Sequence, residues 1–317
     1  MRILFFGTPD IAVPYLEELI KTEEVVGVIT QPDKPADRGR HMHAPPVKTL
    51  AEKNSIPVFQ PVKFTPEDVE KIQLLKADVG VVVSYGKLIP ENIFTAPFYG
   101  CFNIHFSLLP KYRGAGPVQW ALINGEKETG VTTFWIEKTL DSGPVLVQKK
   151  TVIAPEDDAP KLFEKLIPLG LVTMKETLER LKAGDCKGVA QQGEPTLAPC
   201  LKKETGKIDW SQPAEKIMNL IRGTKPWPGA YTIIGEGDMK GTRLKILKAR
   251  TLETPAAADA ITVGAGQVAG LEKNHSFIVK CGIGYLAVEE VHPENRKPVP
   301  AWDFWQGSRL KIGNKFS

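Results

Sequence analysis

The run Val79-Gly80-Val81-Val82-Val83-Ser84 has no polar residue until its end. A strand with one face in water alternates apolar and polar residues. A run without alternation belongs to a strand covered on both faces, and hence to a parallel sheet with helices packed on either side. The flanking sequence fits. Arg2–Phe6, Val25–Thr30, Cys101–His105, Thr129–Trp135 and Val145–Thr151 read as further strands. Helical patterns lie between them at 10–19, 46–54, 66–76, 117–124 and 159–183, with Asp10 as the expected cap of the first. This is the alternation of an α/β fold, Rossmann-like, with a mostly parallel sheet. Pro160 suits a first helical turn. Pro168 is expected to kink or split the last helix, because it lacks the N–H that the helix needs.

Residues 184–212 lose this rhythm and accumulate Gly184, Gly188, Gly193, Pro195, Pro199 and Gly206. Beyond a short helix at Ala214–Ile221 come brief alternating runs at 230–234, 244–249, 267–269, 276–280 and 284–291, separated by turn residues. Such spacing predicts a small OB-like antiparallel β-barrel. The expected organisation is a first domain over 1–189, a linker over 190–206 and a barrel over 207–317. With 317 residues, two such domains can each bury a core. Charge divides along the same line. Residues 1–200 carry 23 Lys and Arg against 25 Asp and Glu, and residues 201–317 carry 18 against 12. The basic final third fits a polyanionic partner as well as an ordinary solvated surface.

Several function classes are excluded or disfavoured. The turn Gly7-Thr8-Pro9-Asp10 has one glycine and a proline where a dinucleotide fingerprint needs three glycines and a free N–H. Gly264-Ala265-Gly266-Gln267-Val268-Ala269 matches the short glycine consensus but lies in the all-β part, where it reads as a turn. No GxxxxGK[ST] loop occurs. Cys101, Cys186, Cys200 and Cys281 are far apart, and His41 and His43 lack a third ligand nearby, so no metal is expected. No run is long and apolar enough for a membrane span. The short apolar N-terminus reads as a strand rather than a signal, so a cytoplasmic protein is expected.

The stretch richest in chemistry is Asn103-Ile104-His105-Phe106-Ser107-Leu108-Leu109-Pro110. Alternation places Asn103 and His105 on the same side of one strand, near the carboxyl end where open α/β sheets bind ligands. Gly114 and Gly116 follow in a loop that can approach a ligand closely. Asp141 adds a carboxylate in the tight loop Leu140–Pro144. Singly, a strand histidine is ordinarily structural and an Asp before Ser-Gly ordinarily makes a turn.

Together, Asn103, His105 and Asp141, with Ser107-Leu108-Leu109-Pro110 between them, resemble the Asn–His–Asp site of the formyltetrahydrofolate-using formyltransferases. The segments Phe6–Asp10, Gln31–Ala36, Arg38-Gly39, Ser84–Pro90 and Trp227–Ala230 narrow the likeness to the branch that acts on initiator tRNA. The resemblance spans essentially the whole chain. It implies transfer of a formyl group from 10-formyltetrahydrofolate, as cosubstrate, to the amino group of methionine on initiator tRNA, in translation initiation. It implies Asn103 and His105 as hydrogen-bond donors to the formyl oxygen and Asp141 as proton acceptor. Ser107, Leu108, Leu109 and Pro110 would line the folate pocket, with the pterin near Ser84–Pro90. Lys34, Arg38 and Arg40, on the long loop 32–48, would touch the tRNA, and the chain would act as a monomer. The chain departs from the family pattern at Asp37, at His41-Met42-His43 and at Pro168. A folate hydrolase or a sugar-amine formyltransferase would share Asn103, His105 and Asp141 without needing a basic loop and barrel. A non-catalytic RNA-binding relic would not need the three side chains.

Overall fold

The computed structural model describes residues 1–36, 41–236, 239–254 and 263–317. It divides into two compact units. The first holds Met1–Pro117, Glu128–Val152 and Phe163–Pro199, and the second holds Val118–Lys127, Ile153–Leu162 and Cys200–Ser317.

The chain order through residue 182 is β1 (Arg2–Gly7), α1 (Val13–Thr22), β2 (Glu24–Ile29), β3 (Lys34–Ala36), β4 (His41–His43), α2 (Pro46–Lys53), β5 (Val58–Phe59), α3 (Pro66–Leu74), β6 (Val79–Val83), α4 (Glu91–Phe94), β7 (Cys101–His105), α5 (Pro117–Ile123), β8 (Glu128–Trp135), β9 (Val145–Val152) and α6 (Ala159–Lys182). Seven strands form one sheet in the order β5-β2-β1-β6-β7-β8-β9. The pairs from β5 to β7 are parallel, and β8 is antiparallel to both β7 and β9. All five residues of β6 are buried, as its unbroken apolar run requires. Leu4, Phe6, Ile29, Tyr85, Ile93 and Phe94 pack into one cluster. The chain leaves β1 toward β2 on one side and returns to β6 on the other. The sheet therefore has its topological switch point between β1 and β6, the place where open sheets of this kind bind ligands, beyond the carboxyl ends of the strands.

Three local expectations are revised. Asp10 belongs to a short 3-10 turn, and α1 starts at Val13 with no side-chain cap. Within the stretch 32–48, Lys34–Ala36 pairs antiparallel with His41–His43, and α2 begins at Pro46. Pro168 lies inside an unbroken α6. One missing N–H is tolerated there because the helix is held by packing. Gly170 leaves room for Tyr15, whose hydroxyl donates to the Ile167 carbonyl at 3.2 Å.

The second unit contains α7 (Ala214–Gly223), β10 (Tyr231–Ile233), β11 (Arg243–Leu252), β12 (Val268–Glu272), β13 (Ser276–Lys280), β14 (Tyr285–Pro293), β15 (Val299–Pro300) and α8 (Ala301–Ser308). Its sheet runs β10-β11-β14-β13-β12, antiparallel throughout, with β15 beside β14. The carboxyl-terminal tail joins the two ends of that order. Ile234 bridges Phe316 at one end and Gln267 bridges Lys315 at the other, so both open edges are paired and the barrel closes. Ile217, Ile221, Leu244, Phe277, Val288 and Phe316 are among the side chains filling it. The buried Arg222 guanidinium donates to the carbonyls of Ala154, Pro155 and Asp157 at 3.0–3.2 Å, tying segment 153–162 to α7. No helix among the described residues is long and apolar enough to cross a membrane.

Candidate active site

Strand β7 places Asn103 and His105 in the middle of the sheet. Asn103 is in register with Val82 of β6 and Phe134 of β8, and His105 with Thr132 of β8. The Asn103 side chain is half-buried and makes no hydrogen bond among the described residues. A half-buried amide without a partner on an otherwise apolar strand is a donor available to a ligand.

His105 is buried, with its ring edge-on to Phe134 at 6.3 Å. Its Nε2 lies 2.8 Å from the Tyr112 carbonyl. A carbonyl only accepts, so Nε2 carries the proton and Nδ1 holds a lone pair in the neutral ring. Nδ1 faces the Asp141 carboxylate, 3.8 Å from Oδ2. Burial holds the His105 pKa below its ordinary 6.5, while the Asp141 charge and the Tyr112 carbonyl push it the other way. The ring N–H expected to face a formyl oxygen is thus turned toward Tyr112. Nδ1 has a proton to offer only in the imidazolium.

Asp141 has φ +48° and carries its carboxylate back to the loop after β7. Gly114 N–H donates to Asp141 Oδ2 at 2.7 Å. Gly114 has φ +125°, and a Cβ there would meet the Ala198 carbonyl oxygen at 2.6 Å, so only glycine fits. Two backbone groups of one loop therefore hold the pair: the Tyr112 carbonyl holds the histidine and the Gly114 amide holds the aspartate. Sequence reasoning marked Gly114 as permissive but missed Tyr112, since a backbone carbonyl leaves no trace in residue identity.

That loop is held in turn by residues 189–198. Val189 and Val145 exchange hydrogen bonds at 2.7 Å. Tyr112 N–H donates to Thr196 Oγ1 at 2.8 Å, Arg113 N–H to the Thr196 carbonyl at 2.8 Å, and Gly116 N–H to the Ala198 carbonyl at 3.0 Å. The Gln191 amide bridges Arg113 to the turn at Asp141. These are the residues where the sequence loses its periodicity.

Of the expected folate-lining residues, Ser107 is buried and its hydroxyl donates to the Lys111 carbonyl at 2.6 Å, closing the loop. Leu109 is buried, while Leu108 and Pro110 are half-buried. At the switch point, Thr8 Oγ1 and Gln31 Nε2 both donate to the Tyr85 carbonyl, at 3.0 and 2.9 Å. The Tyr85 hydroxyl is buried without a partner among the described residues, and burial pushes its pKa up to about 12. Lys87 Nζ donates to the carbonyls of Pro61 and Val62, and the Leu88 and Val62 side chains beside it are exposed. Lys34 Nζ donates to Gln31 Oε1 at 2.8 Å. Asp33 accepts from Lys48 at 2.8 and 3.0 Å and from Gln60 at 2.7 Å, so it anchors the base of the β3–β4 pair. Arg38 and Arg40 lie outside the described residues. No cluster of three or more metal-ligating side chains occurs among the described residues.

An unpartnered amide and a buried histidine with a lone pair toward a carboxylate, near the carboxyl ends of the sheet strands, suit acyl-group chemistry at a carbonyl carbon. The comparisons agree. Residues 1–177 match the formyl transferase family and residues 200–309 match the formyl transferase C-terminal domain. The chain belongs to the formyl transferase family. It is 46% identical over 316 residues to a methionyl-tRNA formyltransferase from Endomicrobium trichonymphae, covering 100% of both chains. It is 44% identical to the enzyme of that name from Geobacter metallireducens, covering 99% of this chain and 97% of the relative. In fold it is similar to an N-formyltransferase from Helicobacter canadensis, solved in complex with folinic acid and dTDP-3-aminofucose. That match has a TM-score of 0.66 and 20% identity, over 91% of this chain and 98% of the other.

Proposed function

We propose that this chain transfers the formyl group of 10-formyltetrahydrofolate to the α-amino group of methionine on initiator tRNA. The observation that carries this reading is the end-to-end likeness to enzymes named for that reaction, which includes the basic C-terminal domain. Enzyme, cosubstrate and role in translation initiation follow from it, and no metal is invoked.

The amine nitrogen attacks the formyl carbon, the carbonyl oxygen gains negative charge, and the bond to N10 breaks as N10 takes a proton. Asn103, the uncommitted amide, donates to the developing oxyanion. His105, neutral with its lone pair on Nδ1, receives the proton that the amine loses. The resulting imidazolium lies beside the Asp141 carboxylate, which stabilises it. Nδ1–H then returns the proton to N10. Asp141 and His105 thus act as one acceptor, with Asp141 supplying charge and His105 carrying the proton.

Ser107–Pro110 and the switch-point loop 84–90 bound the folate in this reading. Residues 1–189 supply the chemistry, and the barrel over 207–317 holds the tRNA backbone by its excess of basic side chains. Lys34, Arg38 and Arg40 approach the acceptor end in this reading. The reading carries with it a monomer that works in the cytoplasm, where its substrates are.

The test is to incubate the chain and labelled 10-formyltetrahydrofolate with charged initiator tRNA, with charged elongator tRNA, with an amino sugar nucleotide, or with buffer alone. Label on initiator tRNA alone is expected. Label transfer to the sugar, or formate release without any acceptor, would overturn the assignment.

A further inference from the structure

We propose that Gln191 is a positioning residue for Asp141. It would hold the turn that carries the carboxylate against the loop that carries the Tyr112 carbonyl and the Gly114 amide. The proposal rests on the functional reading above and concerns how this chain keeps its reacting groups in register.

The Gln191 side chain makes four hydrogen bonds. Nε2 donates to the Asp141 carbonyl at 2.8 Å and to the Gly143 carbonyl at 2.9 Å. Oε1 accepts from Arg113 Nε at 3.2 Å and Nη2 at 2.6 Å. The amide can point only one way, because a guanidinium offers donors alone and two carbonyls offer acceptors alone. One side chain therefore uses both donors and its acceptor to join the two loops that meet at His105 and Asp141.

Asp141 needs such a restraint. It holds φ +48°, a conformation that a residue with a Cβ leaves readily unless its surroundings keep it there. Gly114 N–H grips the carboxylate but does nothing for the Asp141 backbone. Gln191 grips that backbone at its carbonyl and again at Gly143. Gln191 is itself delivered firmly. Val189 is bonded to Val145 on one side of it, and Thr196 and Ala198 are bonded to Tyr112, Arg113 and Gly116 on the other. Segment 189–198 thus serves as a strap across the two loops, with Gln191 as its one side chain aimed at the turn of Asp141.

Two substitutions separate this role from packing. Gln191→Met has nearly the same length and neither donates nor pairs with Arg113. Gln191→Glu keeps the acceptor for Arg113 but sets a carboxylate oxygen against the carbonyls of Asp141 and Gly143. Both variants are expected to lower kcat for formylation by about tenfold to a hundredfold, since a misplacement near an ångström has that order of effect. KM for tRNA and tetrahydrofolate binding should stay near wild type. In Gln191→Met the acid limb of the kcat–pH profile should move to lower pH, in the same direction as in Asp141→Asn. With the carboxylate less well placed, less charge favours the imidazolium of His105, so the ring stays neutral to lower pH.

Wild-type kcat in both variants would overturn the proposal. A wild-type rate in Gln191→Glu with a slow Gln191→Met would overturn it too, since pairing Arg113 would then suffice. So would a loss of kcat matched by lost tetrahydrofolate binding, or an unmoved acid limb, because either marks general structural damage. A wild-type chain that formylated no tRNA would overturn the functional reading itself.

Discussion

Gly143 lies two residues after Asp141, and replacing it by alanine tests how tightly the site is built. Its backbone is not in the left-handed region, so only space forbids a side chain. A Cβ there would lie 1.8 Å from the carbonyl oxygen of Trp135 and 2.9 Å from its carbon. Both are backbone atoms at the end of β8, and Trp135 N–H is bonded to the Pro144 carbonyl at 3.0 Å. Neither side can swing away as a flexible side chain would. Relieving the contact takes a movement of about an ångström, either of the turn or of the strand end. Overpacking of this kind costs about 1–3 kcal/mol, and in a chain of this size that lowers Tm by several degrees. The larger effect is on rate. The same ångström moves Asp141 relative to His105, and kcat for formylation should fall by about a hundredfold. The comparison variant is Gly307→Ala. Gly307 lies in α8, where a Cβ meets nothing within 4 Å. There alanine should stabilise the helix by about 0.5 kcal/mol and leave kcat unchanged. Steady-state formylation of charged initiator tRNA and thermal unfolding of both variants make the measurement. Wild-type kcat and Tm in Gly143→Ala, or equal effects at both glycines, would refute the reasoning.

Asn103→Ala, His105→Ala and Asp141→Ala should each lower kcat by about a hundredfold or more with the fold intact, as judged by circular dichroism; a near-normal rate removes that residue from the mechanism. His105 must be neutral to accept a proton, and its pKa is held below 6.5, so the imidazole signal followed by NMR should titrate only below that value. A His105 titration above pH 6.5 would contradict burial as the dominant influence. Asp33→Ala should release the base of the β3–β4 pair from Lys48 and Gln60, raising KM for tRNA severalfold without changing folate affinity in a titration. Arg38→Ala should lower the specificity constant for initiator tRNA by about tenfold to a hundredfold, and Arg38→Lys should recover only part of it, because an ammonium lacks the planar fork. Loss of folate binding in the Arg38 variants would place that residue at the wrong substrate.

What residue order alone determined is what periodicity encodes. The unbroken apolar run at 79–83 required a strand covered on both faces, and β6 is buried throughout. Alternation put Asn103 and His105 on one side of β7, at the carboxyl end of a sheet whose strands are mostly parallel. The short alternating runs after residue 230 became the antiparallel strands of the second unit. These features depend on neighbours in the chain, and sequence displays them directly.

Tertiary structure decided the rest. Pro168 was locally unfavourable to a helix, yet α6 runs through it, because burial of Leu166, Met174, Leu178 and Leu181 along the helix outweighs one lost hydrogen bond. The final residues carry no strand pattern, yet the tail closes the barrel by offering backbone groups to two open edges. The protonation of His105 was settled by a carbonyl at Tyr112, and the place of Asp141 by an amide at Gly114. Residues 189–198, where periodicity fails, lie across both loops. Every residue type except proline carries the same backbone N–H and C=O, so a site assembled from them becomes visible only when distant segments meet.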